Sequence, residues 1–299
     1  MSDMLTIKGL YKRFGDKQVL NGLDLSVPEH SVYGFIGKNG AGKTTPMKMI
    51  LGLLKPDNGE INVFGEKVVY GQTATNRYIG YLPDVPEFYP FMTAREYLTF
   101  CGEISGMAKQ DIQSRCNELL ELVGLKDEKH RIKGFSRGMK QRLGIATALF
   151  NRPRLLICDE PTSALDPVGR KEILDILLAA KDETTVLFST HILSDIERIC
   201  TDVAFLNCGN IAVQGTIEDI KQKYRTKDHI LEFCDEHTVK CILKAFPKLM
   251  QADNNQLILR DDALLYEVFA FIAAKKLPLV KFTSVEPTLE SMFLEVIAK

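Results

Sequence analysis

The chain has 299 residues, 45% hydrophobic and 26% charged, a globular mix that excludes a disordered or fibrous protein. That length holds one large domain, or a large one plus a small one, and buries a core without disulfide or metal staples. Lys and Arg total 38 against 39 Asp and Glu, so a net charge of −1 offers no general footprint for nucleic acid.

Thr6–Leu10 and Leu23–Val27 alternate loosely and predict strands. Val32–Ile36 is an apolar run ending in the glycine-rich turn Gly37–Gly42. Met47, Ile50 and Leu51 then fall at helical spacing, and Gly52 stops the helix. Strand, glycine loop and helix in that order open an α/β unit. From about Thr93 to Phe150 the pattern is helical. Thr93 and Glu96 fit a capping box, and Ile112, Cys116, Leu119, Leu120 and Val123 form a core-facing stripe closed by Gly124.

Leu155–Cys158 reads as a buried strand ending in Asp159-Glu160, and Thr185–Ser189 as another ending near His191. Val203–Leu206 and Ile211–Val213 flank the turn Asn207–Asn210. The charged run Lys221–Asp228 marks a boundary, which sets domains at residues 1–222 and 223–299. Beyond it come strands Ile230–Phe233, Leu257–Leu259 and Leu279–Phe282 and helices Val239–Phe246, Leu264–Ala274 and Leu289–Ile297, a small α+β domain.

The seven cysteines form no CxxC pair and their number is odd, so they read as reduced core thiols of a cytosolic protein. The N-terminus has no apolar signal core, and the longest apolar stretches, such as Val268–Ala274, fall short of a membrane span. Any membrane role is therefore expected to run through a partner.

Gly37-Lys38-Asn39-Gly40-Ala41-Gly42-Lys43-Thr44 matches GxxxxGK[ST] at every fixed position. Glycines let successive backbone N–H groups point into one concavity that binds phosphate, and the following helix adds its positive end. Lys43 reaches β- and γ-phosphates, and the Thr44 hydroxyl is a Mg²⁺ ligand. The match sits between an apolar strand and a helix, which argues against a chance glycine turn. Asp159 is then expected to hold Mg²⁺ and Glu160 to act as base for the attacking water, because ligands of open α/β sheets bind at the carboxyl ends of strands. His191, just past another strand, is placed to hydrogen-bond the γ-phosphate and that water. By themselves the two carboxylates would be solvated loop residues and the histidine an ordinary one; the phosphate loop raises all three.

Phe135-Ser136-Arg137-Gly138-Met139-Lys140-Gln141-Arg142 resembles the LSGGQ signature of ABC ATPases. The other family motifs follow in order: Phe14 at the position of the adenine-stacking aromatic, Gly37–Thr44 as Walker A, and Asp84 at the Q-loop position. Leu155–Glu160 matches Walker B, Ser163–Asp166 the D-loop and His191 the switch histidine. The resemblance covers roughly residues 4–220. It implies an ABC-type P-loop fold with a mixed sheet core, a helical subdomain at about 90–150 and the small C-terminal α+β domain. It further implies ATP and Mg²⁺ as ligands and hydrolysis as the activity. Nucleotide contacts would come from Phe14, Gly37, Lys38, Asn39, Gly40, Ala41, Gly42, Lys43, Thr44 and Thr45, and from Ser136 and Gly138. Metal ligands would be Thr44, Asp84 and Asp159, and catalytic groups Glu160, His191 and Asp84. The tail, ending VEPTLESMFLEVI, is similar to the C-terminal domain of ATPase subunits of ABC-2-type drug and bacitracin exporters.

In that family two subunits pair head to tail around two ATPs and drive a separate transmembrane permease. The implied partners are thus a second copy or a homologous subunit, and a permease that gives the only membrane contact, at the cytoplasmic face of the membrane. No nucleic-acid partner is expected. A soluble ABC protein of translation or repair would carry two cassettes or a long coiled-coil insertion, neither present here. A non-hydrolysing module would lack Glu160 or His191. Three residues depart from the family pattern: Asp84 replaces glutamine, Arg137 replaces a signature glycine, and Pro46 stands in the first turns of the Walker A helix. With a helix start near Ala41, Pro46 would remove a bond to the Gly42 carbonyl, loosen the helix start locally and somewhat weaken nucleotide affinity, with the overall fold intact.

Overall fold

The computed structural model describes residues 3–224, 228–260, 262–284 and 288–298. Residues 225–227 of the charged boundary run and 285–287 of the tail motif lie outside them. The described chain forms two compact units, one up to Ile217 and one over Glu218–Glu295, with the residues from Val296 grouping with the first.

In the first unit β1 (Asp3–Phe14) and β2 (Lys17–Pro28) form a long hairpin, followed by β3 (Val32–Ile36) and α1 (Thr44–Ile50). Next come β4 (Asn58–Val63), β5 (Glu66–Lys67) and β6 (Ile79–Leu82), then three helices, α2 (Ala94–Ile104), α3 (Lys109–Leu122) and α4 (Arg137–Leu149). The chain continues through β7 (Leu155–Asp159), α5 (Pro167–Ala180), β8 (Thr185–Thr190), α6 (Leu193–Ile199), β9 (Asp202–Asn207) and β10 (Asn210–Thr216), and leaves through α7 (Ile217–Lys223).

Two sheets result. One is antiparallel, in the order β2-β1-β4-β5; the other is mixed, in the order β10-β9-β3-β8-β7-β6, parallel except for the β9–β10 edge. Every residue of β3, β7 and β8 is buried, which is why these segments read as unbroken apolar runs. Leu5, Ile7, Leu23 and Leu25 of the hairpin share one core with Phe35, Met47, Ile157 and Leu187, so the antiparallel sheet is fastened over the central one. The capping box of α2 forms as expected, with the Glu96 amide donating to Thr93 Oγ1 and the Thr93 amide to Glu96 Oε2.

The second unit contains β11 (His229–Phe233), α8 (Glu236–Ala245), β12 (Met250–Asp253), β13 (Gln256–Leu259), α9 (Asp262–Ala274) and β14 (Leu279–Ser284), with α10 (Leu289–Ala298) at its end. Its sheet, in the order β12-β13-β11-β14 with every pairing antiparallel, is the split β-α-β-β-α-β arrangement. Leu231, Phe233, Val239, Ile242, Leu257 and Val268 make its core. Sequence reading expected three strands here. The fourth, β12, is exposed at all four positions and carries no alternation to detect.

Not all the cysteines are core thiols. Cys116 and Cys158 are buried, but Cys208 and Cys234 are exposed, the first in the β9–β10 turn with φ +48° and the second just past β11. Burial pushes the thiols of Cys116 and Cys158 up, further suppressing the reactive thiolate. A small disulfide reagent added to native protein should modify Cys208 and Cys234 first and leave Cys116 and Cys158 until the chain is unfolded. Peptide mapping by mass spectrometry reads the order, and early labelling of Cys158 would contradict this core.

Candidate nucleotide-binding and active site

Parallel pairing sets the site. Ile36 is paired with Thr190, Asp159 with Ser189, and Leu82 with Cys158, so β3, β8, β7 and β6 all end on one edge of the sheet. The residues that follow, Gly37, Asp84, Glu160 and His191, therefore emerge side by side despite up to 154 positions between them in sequence (191 − 37).

Between β3 and α1 the loop turns through Gly40 at φ +77° and Gly42 at φ +97°. At Gly42 a Cβ would also lie 2.7 Å from Val19 Cγ1, so both backbone angle and space require glycine there. The Lys43 ammonium, 6% exposed, donates to the carbonyls of Gly37 at 2.7 Å and Lys38 at 3.2 Å, and lies 2.9 Å from Glu160 Oε1. Lys38, Asn39 and Gly40 are exposed, Ala41 and Thr45 half-buried.

The Thr44 hydroxyl donates to Asp159 Oδ2 at 2.6 Å, and the Ser189 hydroxyl to Asp159 Oδ1 at 2.7 Å. Ser189 Oγ in turn accepts from the Glu160 amide at 3.0 Å. Sequence reading missed Ser189; its one signal was its place at a buried strand end beside His191. Glu160 takes φ +49°, a left-handed conformation that costs a non-glycine residue about 1–2 kcal/mol. Its amide bond to Ser189 helps hold that turn, which directs the carboxylate to Lys43 on one oxygen and to His191 Nδ1, at 2.9 Å, on the other.

Lys43, Thr44, Glu160 and His191 border a cleft of about 480 Å³ whose lining also includes Asn39, Thr45, Asp84 and Ser163. Lys17 and Val19 of β2 line it as well, and sequence reasoning had not singled them out. Phe14 sits at the hairpin tip, 48% exposed, with the Lys12 ammonium 5.4 Å from its ring centroid, and does not line the cleft. Ser136 and Gly138 also stand apart from it. Ser136 caps α4, accepting from the Met139 amide at 3.2 Å, and Gly138 is half-buried in the first turn of that helix.

Two departures from the family pattern meet one another. Arg137 Nη2 donates to Asp84 Oδ1 at 3.3 Å, while the buried Gln141 amide donates to the Asp84 carbonyl at 2.6 Å. Burial pushes the Asp84 carboxyl above the usual carboxylate range. The Arg137 guanidinium pulls it back, and the charges of Asp159 and Glu160 add to the rise. Both partners of this ion pair are nearly half exposed, so it contributes at most about 1 kcal/mol. As oxygen donors, Thr44 Oγ1 and the Asp159 carboxylate fit a hard cation such as Mg²⁺, with the Asp84 carboxylate on the rim of the same cleft.

A glycine-rich loop after β3, two acidic residues at the end of β7 and a histidine past β8 make the site of a P-loop protein. Residues 20–163 match the ABC transporter family model, and residues 215–297 match the C-terminal domain of DrrA1-3-like ATP-binding proteins. The chain is 45% identical over 224 residues to the uncharacterized ABC transporter ATP-binding protein YxlF of Bacillus subtilis, covering 75% of this chain and 74% of that one. It is 41% identical over 228 residues to the bacitracin transport ATP-binding protein BcrA of Bacillus licheniformis, with the same coverage. Among solved structures it is similar to the ATP-binding cassette MJ0796, a dimer in a post-hydrolysis state bound to ADP and Pi. That match has a TM-score of 0.64 and 25% identity, and covers 72% of this chain and 99% of that one. The chain belongs to the ABC transporter ATP-binding proteins and is an ATPase.

The helix that contains Pro46 does not start where the sequence predicts. The helix starts at Thr44, three residues later than supposed, which makes Pro46 its third residue, where an N–H has no partner within the helix. The Gly42 carbonyl instead accepts from the Thr45 amide at 3.1 Å, and Thr45 is helical in spite of the proline that follows. Pro46 is buried. Pro46→Thr should therefore move Tm by less than about 2 °C, equivalent to under about 1 kcal/mol. Calorimetry and nucleotide titration check this, and a rise of about 4 °C or more with tighter ATP binding would show that the proline is strained.

Proposed function

We propose that this chain is the ATP-hydrolysing subunit of an ABC-2-type exporter of drugs or peptide antibiotics, acting on a separate transmembrane permease. The observation that carries the hydrolytic reading is the Lys43–Glu160–His191 chain at the rim of the phosphate loop. Lys43 and the loop amides bind the β- and γ-phosphates. Glu160 takes a proton from water as its oxygen bonds to the γ-phosphorus and the bond to the β–γ bridging oxygen breaks. ADP and phosphate then leave. His191 holds the Glu160 carboxylate in position and is within reach of the γ-phosphate. Thr44 and Asp159, with Asp84 beside them, would hold Mg²⁺, whose charge offsets that of the phosphates. Phe14 would reach the adenine from the hairpin tip.

Within one subunit Ser136 and Gly138 lie outside the cleft, and the α4 N-terminus they open is free to serve another nucleotide. We therefore assign them to the ATP of a second copy, or of a homologous subunit, paired head to tail. None of the helices, among the described residues, is long and apolar enough to cross a membrane. In this reading the membrane task falls to a permease that the chain meets at the cytoplasmic face. The exporter reading is supported by the likeness to the bacitracin transport protein BcrA and by the match of residues 215–297 to the C-terminal domain of DrrA1-3-like ATP-binding proteins, and we take residues 223–299 as the accessory domain.

Glu160→Gln keeps the shape and one hydrogen-bond acceptor but removes the base. Its turnover should fall by at least about 10²-fold while nucleotide binding is retained and an ATP-bound dimer accumulates. Phosphate release and size-exclusion chromatography with ATP are the readouts, and near-normal turnover would remove Glu160 from the mechanism. Ser136→Arg should leave ATP binding by the monomer nearly intact and abolish ATP-dependent dimerisation. Parallel loss of both would mean that this segment serves only its own subunit.

A further inference from the structure

We propose that the buried carboxylate of Asp195 is a positioning group for hydrolysis, bracing Glu160 and His191 against each other from behind the cleft. The proposal rests on the reading of Glu160 and His191 given above. Sheet register specifies how β7 and β8 meet only as far as the pair Asp159–Ser189. Glu160, one residue past that pair, is still tied to β8, its amide facing the Ser189 carbonyl at 3.2 Å and Ser189 Oγ at 3.0 Å; beyond it the ladder does not set the separation of Thr162 from the His191 segment. A second connection does. Asp195, in the first turn of α6 and 3% exposed, accepts from the Thr162 hydroxyl at 2.7 Å on Oδ2 and from Arg170 Nη2 at 2.9 Å on Oδ1. Thr162, fully buried, is two residues beyond Glu160; Asp195 is four beyond His191. With the Glu160–His191 bond at 2.9 Å, the two segments close into a ring of backbone joined by two side-chain hydrogen bonds.

The loop this ring contains needs an external brace. Glu160 and Ala164 both hold positive φ, at +49° and +54°, without being glycine. Such backbone persists only where its surroundings over-determine it. The Glu160 amide anchors the start of the loop to Ser189, but the local bonds beyond it, Ser163 amide to Glu160 carbonyl at 3.0 Å and Leu165 amide to Thr162 carbonyl at 3.3 Å, shape the turn without tying its far side to the His191 segment. Thr162 does that through Asp195. Arg170 extends the brace to α5, whose cap Asp166 accepts from the Gly169 amide at 2.8 Å. As a stabilising device the arrangement is poor: the ion pair is largely desolvated, and Arg170 Nε is buried without a hydrogen-bond partner. Apolar residues of similar volume would hold a core at least as well. Its value lies in direction, because a hydroxyl and a guanidinium on one carboxylate orient the Thr162 loop against α5 and α6.

Steady-state ATPase kinetics on the full chain test this, with thermal melting as a control on folding. Thr162→Val, isosteric but without the hydroxyl, should lower kcat about tenfold, since misplacing a catalytic group by a fraction of an ångström is costly. KM for ATP should stay within about twofold, because the phosphate loop is untouched. Thr162→Ser, which restores the hydroxyl, should recover most of kcat. In the Glu160→Gln background Thr162→Val should cost nothing further, as both changes disable one unit. Should Thr162→Val fail to fold, Asp195→Asn takes its place: it keeps an acceptor for Thr162, loses the charge facing Arg170, and should also lower kcat with KM held. Normal kcat in whichever variant folds, or a Thr162→Ser protein as slow as Thr162→Val, overturns the proposal. Slow Glu160→Gln with normal Thr162→Val sinks the brace alone. Normal turnover in Glu160→Gln sinks the assignment of Glu160 itself, and the brace with it.

Discussion

Parallel pairing of β3, β8 and β7 is the constraint on which the rest of the molecule depends. Parallel neighbours end on the same edge, so one register brings a phosphate loop, an acidic pair and a histidine together from three remote stretches of chain. Parallel strands in the middle of a sheet must be covered on both faces, and here the β1–β2 hairpin shares a core with β3, β7 and β8. Edge and core thus have one origin. Shifting β8 by one residue would move His191 away from Glu160 and turn its buried side chains to the opposite faces of the sheet.

At that edge charge is handled by mutual satisfaction. Asp159, nearly buried, is held between the hydroxyls of Thr44 and Ser189, and Glu160 between a lysine and a histidine. Lys43 lies in a ring of oxygens from Gly37, Lys38 and Glu160, all acceptors that an incoming phosphate would compete with. A buried charge stripped of its partner costs several kcal/mol, so these groups are expected to exchange partners when nucleotide arrives and never to stand unpaired.

The helical segment from α2 to α4 carries the signature outside its own cleft, while Asp84 touches both regions. Its carboxylate lines the cleft, and the same side chain pairs with Arg137 at the start of α4. Two residues that depart separately from the family pattern are thus in contact, an acid against a base. The pair is half exposed and weak, which leaves the Arg137 side chain free to change partners at little cost.

Much of this was legible in the amino-acid order because it is local. Glycines at fixed offsets, a capping box at Thr93–Glu96, and apolar runs of strand length each follow from backbone conformation or desolvation within a few residues. Those signals placed the phosphate loop, Asp159, Glu160 and His191. What they could not contain is pairing between distant positions. Ser189 is an unremarked strand residue until Asp159 is paired beside it, and Lys17 and Val19 belong to a hairpin with no phosphate motif until β2 passes the loop. Pro46 read as a flaw because the helix start was inferred from spacing alone; the Thr45–Gly42 bond shows where it is. Strand β12, exposed throughout, had no pattern to read. Sequence determined which residues have the chemistry for a phosphate site, since that depends on side-chain type and local backbone freedom. Tertiary structure decided which of them meet, since hydrogen-bond partners and burial are set by the register of strands far apart in the chain.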